Sequence, residues 1–145
     1  PKKEEEQLII RQNIASTPYP TASNIISPEQ ISKSKEIVRE VYLDEKIEKY
    51  IVDIVYATRS PKEFGLDDLE YLIEFGCSPR ASINLALASK ALAFINRRGY
   101  VIPEDVREVC HNVLRHRIGL SYEAEAEQID VETIINTILN KVQVP

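Results

Sequence analysis

The 145-residue sequence has no methionine and no tryptophan, four glycines and two cysteines. Each shortage removes a class of function. With glycine only at positions 65, 76, 99 and 119, no GxxxxGK[ST] loop can form, so the chain has no backbone cradle of its own for nucleotide phosphates. No apolar run ends in paired acids to hold magnesium. Autonomous nucleotide hydrolysis is therefore not expected. Cys77 and Cys110 lack CxxC spacing and read as small buried hydrophobes of a reducing, cytoplasmic compartment rather than a disulfide. The two histidines, His111 and His116, lie five residues apart on different helix faces with no cysteine or carboxylate at useful spacing, so no metal site is expected. No serine sits in a GxSxG turn. No apolar run reaches the roughly 20 residues that cross a bilayer, so membrane insertion is not expected.

Other quantities are ordinary. The chain is 43% apolar and 28% charged, as in globular proteins, and is long enough for one domain with a core. Eighteen basic and 23 acidic residues leave a net charge of -5, which disfavours a nucleic-acid partner. The absence of methionine, even at the first position, and the opening Pro1-Lys2-Lys3-Glu4-Glu5-Glu6 lead us to expect that the chain starts inside a longer protein.

Periodicity predicts an all-α bundle with room for one small strand pair. Residues 3–14 carry a short helical pattern. Residues 15–27, with Pro18, Pro20 and several Ser and Thr, read as a linker. Ser27-Pro28-Glu29-Gln30 is a capping box that opens a helix to about Val41, with Ile31, Ile37 and Val38 expected inward. Asp44 caps the next helix, whose Ile47, Tyr50, Ile51, Ile54, Val55 and Thr58 form one stripe ending before Pro61. Residues 61–76 are a connection in which Tyr71–Phe75 is a short strand or a single turn.

The helix from Pro79 to about Arg98 carries two apolar stripes, so it is expected to be buried widely. One stripe is Ala81, Leu85, Ala88, Leu92 and Ile95; the other is Ile83, Leu87, Ala91 and Phe94. Gly99 is the expected stop, and Tyr100-Val101-Ile102 a second candidate strand. Pro103-Glu104-Asp105 opens a helix that ends at Arg115-His116-Arg117. Residues 118–129 read as an acidic loop, and Asp130 caps a last helix packed through Ile134, Ile135, Ile138 and Leu139.

The segment Gly76-Cys77-Ser78-Pro79-Arg80-Ala81 carries the most chemistry. Ser78 reads as the helix N-cap and Pro79 as the first helical residue. Arg80 then puts a cation at the positive end of the helix dipole, at a cost of roughly 0.3–1 kcal/mol. Folding supplies no reason for it. An anion arriving from outside, above all a phosphate, does; an ion pair with a nearby carboxylate is the alternative. Arg59, Arg98, His116 and Arg117 sit at helix C-termini, where the dipole favours cations, and remain candidates for subunit or nucleotide contacts.

In order and spacing, several motifs together resemble the C-terminal lid of a MoxR-type AAA+ ATPase across residues 28–145. They are Tyr50-Ile51-Val52 with Ala57-Thr58-Arg59, the Gly76–Ala81 block, Arg98-Gly99-Tyr100-Val101-Ile102-Pro103-Glu104-Asp105-Val106, and Val113-Leu114-Arg115-His116-Arg117-Ile118. Residues 4–9 are similar to the last helix of the ATPase core, which makes 1–14 the end of that core. The resemblance implies that Arg80 is the second-sensor arginine, acting catalytically and in ATP binding, with Asn84 one turn later as a weaker nucleotide contact. It implies ATP and Mg in the full-length parent and none in this piece. It also implies as partners the ATPase core of the same chain, neighbouring subunits of a ring, and client proteins remodelled in a chaperone-like way. Three positions depart from the family: Asn96-Arg97-Arg98-Gly99 replaces Gly-Arg, Ile102 stands for a capping Thr, and Cys77 for a small alanine. The departures put a role for Arg98 in doubt. The alternative function is a helical protein-interaction or adaptor module without nucleotide; a DNA-binding helical domain is poorer still.

Overall fold

A computed structural model describes residues 1–15 and 22–145. Pro18 and Pro20, on which the linker reading leans, lie outside the described residues. The chain divides into two compact units, residues 1–32 and 33–145. The first holds α1 (Lys3–Ile14) and the start of α2 (Pro28–Glu40), and none of its described side chains is buried. The capping box forms as read: the Ser27 amide donates to Gln30 Oε1 at 2.8 Å and the Gln30 amide to Ser27 Oγ at 3.3 Å. The inward stripe of α2 does not form. Ile31 and Ile37 are exposed and Val38 is half-buried. Three apolar positions six and one apart make too narrow a strip to repay packing.

Residues 33–145 form a helical domain. Helix α3 (Glu45–Ala57) starts where Asp44 Oδ1 accepts the Lys46 amide at 2.9 Å, and it buries Ile47, Tyr50, Ile51, Ile54, Val55 and Ala57 as the periodicity requires. Residues 61–76 make two 3-10 turns, Pro61–Phe64 and Asp67–Leu69, then strand β1 (Ile73–Phe75). After them come α4 (Pro79–Ile95), α5 (Pro103–Leu114), β2 (Gly119–Leu120), α6 (Tyr122–Ala126) and α7 (Val131–Lys141). Helix α4 packs on α5 and α3, and α7 also packs on α5 and α3 to complete the core.

Four expectations need correction. The strand partner of β1 is β2, antiparallel with Ile73 opposite Leu120, inside the segment read as a loop. Tyr100 makes only a lone parallel bridge to Tyr42. The same loop also holds α6, capped by Ser121; five residues burying only Ala124 show no periodicity to detect. On α4 the buried positions are Ala81, Leu85, Ser89 and Ala93, one per turn. Of the second stripe, Ile83 and Leu87 are exposed and Ala91 and Phe94 half-buried, and Ile95 is 71% exposed. Two apolar faces look alike in sequence, but α3 and α5 cover one of them.

Gly99 is not the stop of α4. The Arg97 amide donates to the Phe94 carbonyl and the Arg98 amide to the Ala93 carbonyl, both at 2.9 Å, which is a Schellman closure with Arg97 in the left-handed region at φ 58. A side chain there is strained where glycine is not. Arg97→Gly is expected to raise the stability of the domain by about 0.5–1 kcal/mol, read as a higher urea midpoint at unchanged slope.

Candidate functional site

Helix α4 begins without a side-chain cap. Ser78 occupies the N-cap position, but its hydroxyl accepts no hydrogen bond from the helix, contrary to the sequence reading. Pro79 has no amide, and the Ala81 amide donates to the Ser78 carbonyl at 2.8 Å. The first turn is anchored from outside instead. Thr58, the last residue of the α3 stripe, is 1% exposed. Its hydroxyl donates to the Val55 carbonyl at 2.6 Å and accepts the Cys77 amide at 2.8 Å. Beside it, Gly76 lies so close that a Cβ would stand 2.3 Å from the Thr58 carbonyl oxygen and 2.6 Å from Arg59 Cγ. Two motifs 19 residues apart are thus one structural joint. A hydroxyl at an apolar stripe position was the sequence signal for it.

From this joint Arg80 projects exposed, and no hydrogen bond or ion pair among the described residues engages it. The carboxylate pairing weighed for it does not occur among them. Asn84 follows one turn later, half-buried. No three His, Cys, Asp or Glu side chains gather to hold a metal among the described residues.

The other basic helix ends are mostly committed. Arg98 makes a fork to Asp105, Nη1 to Oδ2 at 2.7 Å and Nη2 to Oδ1 at 2.5 Å. This removes it as a candidate contact. Asp105 also accepts the Ile102 amide at 3.0 Å, the half of a capping box that a first-turn acid supplies, while the Asp105 amide turns to the Ile102 carbonyl at 3.1 Å in the absence of a capping hydroxyl. Arg117 Nε donates to the Val113 carbonyl at 2.9 Å and Arg115 Nε to the His111 carbonyl at 3.2 Å, the terminus-capping role expected of them, and Arg115 also pairs with Glu132 at 3.2 Å. Arg59 stacks over the Tyr56 ring, 5.2 Å from its centroid. His116 is exposed. Both cysteines are free and buried; burial pushes the Cys77 thiol up, and the Cys110 thiol to about 12. They behave as apolar filler, as read.

Residues 69–138 match the AAA lid domain family. The chain is 39% identical to the chaperone MoxR1 of Mycobacterium tuberculosis over 99% of its own length and 37% of that protein's. It is 36% identical to the protein MoxR of Paracoccus denitrificans over 68% of this chain and 31% of that one. A crystal structure of a putative ATPase from Cytophaga hutchinsonii superposes with a TM-score of 0.88 at 42% identity, across 99% of this chain and 44% of that one. The chain therefore spans less than half the length of each of these relatives.

Proposed function

The chain belongs to the MoxR-type AAA+ ATPases and carries their lid domain, and on that premise we propose that Arg80 is its second-sensor arginine, closing over ATP held by the ATPase core of the parent protein. Residues 1–14 would be the end of that core, 15–27 the linker and 28–145 the lid. The observation that carries the reading is Arg80 itself: an exposed guanidinium, engaged by no partner among the described residues, held at the start of α4. A cation costs stability there unless an anion meets it. Its donors suit two phosphate oxygens at once, and the first-turn backbone adds positive potential to the same spot.

ATP supplies the phosphoryl group, whose charge builds up on its oxygens as the bond to the leaving group breaks. Arg80 provides fixed positive charge toward that group without changing its own protonation. Asn84, one turn along the same face, offers a neutral amide. The chain gathers no metal-ligand set among its described residues, so Mg would be held by the core and the phosphates. Lid movement on hydrolysis would then be passed to neighbouring subunits of a ring and to client proteins, in the chaperone-like manner that the name of the Mycobacterium relative gives to that protein.

The test is steady-state hydrolysis by the full-length protein. Arg80→Ala is expected to lower kcat about 100-fold, while the melting temperature stays within a degree or two because the side chain is exposed. Arg80→Lys should recover only part of the rate, since an ammonium cannot make the planar fork. Unchanged hydrolysis in Arg80→Ala would leave the adaptor module as the better account.

A further inference from the structure

Thr58 has a bland explanation. Threonine at a helix end commonly turns its hydroxyl back onto its own helix, and the 2.6 Å bond to the Val55 carbonyl is of that kind. The second bond is not. The same oxygen accepts the Cys77 amide from 19 residues away, and Cys77 lies three residues before Arg80. Three further facts make that bond matter. Ser78 gives α4 no side-chain cap, so Pro79 marks the first helical residue but no local side chain ties the first turn down. Gly76 is closed down on the Thr58 carbonyl, so the approach leaves no slack. Thr58 itself is buried, and both bonding directions of its hydroxyl are used.

We infer that Thr58 is the positioning residue for Arg80. Its hydroxyl, held in one orientation by Val55, sets how the turn from β1 into α4 seats against the end of α3 and so the point at which Arg80 is presented. The inference rests on the nucleotide role of Arg80 for its activity readout, but not for its geometric one. The β-branched methyl of threonine limits its side-chain rotamers, which keeps the acceptor aimed.

The variants are Thr58→Val, which keeps the shape and loses both bonds, and Thr58→Ser, which keeps the hydroxyl. Each is made in the full-length ATPase with Arg80 and in the Arg80→Ala background. Thr58→Val is expected to lower kcat roughly tenfold, because a small displacement of a charge-stabilising group is costly, with KM for ATP within about twofold. Thr58→Ser should keep kcat within about twofold. In the Arg80→Ala background Thr58→Val should cost nothing further, since the group it positions is gone. An equal loss in both backgrounds overturns the inference and leaves Thr58 a structural residue. Should Thr58→Val fail to fold, Thr58→Ala takes its place in the same cycle. If Arg80→Ala alone leaves hydrolysis unchanged, the nucleotide reading fails by itself. The positioning claim is then read from the Arg80 Nε–H resonance in arginine-labelled full-length protein. That resonance should move in Thr58→Val and hold in Thr58→Ser; a resonance unmoved by Thr58→Val sinks the claim.

Discussion

Gly76→Ala is expected to destabilise the domain by about 3 kcal/mol, near the upper end for overpacking a closed contact. Space, not backbone conformation, makes this position strict. Gly76 has no positive φ; among the glycines only Gly65 does. A Cβ at Gly76 would meet the Thr58 carbonyl oxygen at 2.3 Å and the carbonyl carbon at 2.6 Å. Those are backbone atoms at the end of a packed helix, and they cannot rotate away. Gly119 makes the control. Its added Cβ would meet Phe75 Cδ2 at 2.4 Å, but that ring belongs to an exposed residue and can swing out. Gly119→Ala should therefore cost well under half as much. For a domain of this size 3 kcal/mol corresponds to a fall in melting temperature on the order of 10 °C. Calorimetry of the two variants side by side checks it, and equal losses would show that the 58–76 contact is not tight.

Asp105→Ala should cost a similar amount, about 3 kcal/mol, because it breaks a part-buried ion pair and a helix cap together. Asp105 is 2% exposed. It receives the Arg98 fork and the Ile102 amide at once. Removing it leaves the half-buried Ile102 amide without its acceptor and releases the Arg98 end of the 96–102 connection from the start of α5. The pH dependence gives a second, independent reading. Burial acts to raise the Asp105 carboxyl, but the Arg98 guanidinium and the Ile102 amide outweigh it and hold the group below the usual carboxylate value. A folded value below the unfolded one means the unfolded chain takes up the proton first. The stabilisation is thus complete above the unfolded value of about 4 and is lost as pH falls through the folded value. Between about pH 5 and pH 2 the parent should lose stability more steeply than Asp105→Ala. Urea midpoints measured across that range decide the matter; parallel curves would mean that Asp105 carries no special proton linkage.

Much of the domain is legible from spacing alone. The stripe of α3 appears where four-residue periodicity demands it, because one-sided burial of Ile47, Tyr50, Ile51, Ile54 and Val55 leaves a trace at every turn. The ends marked by Asp44, Ser27 and Asp130 are legible for a similar reason: an Asp or Ser hydrogen-bonds amides two or three residues away, and that geometry is local. Arg80 stands out because a cation in a first turn goes against the local field. Where the local signal is weak or doubled, the reading goes astray. Helix α6 is too short to show a period, and α4 has two apolar faces of which packing covers one.

Sequence by itself determined the helices, most of their boundaries, and the presence of an arginine that folding does not require, since each follows from interactions spanning at most a few residues. Tertiary structure alone decided that Thr58 holds the Cys77 amide, that Gly76 must be bare, that Arg98 is tied to Asp105 while no described residue engages Arg80, and that β1 pairs with residues 119–120. Those outcomes depend on which distant segments meet. That is set by how the whole apolar surface is best removed from water, a sum over the chain that no local pattern contains.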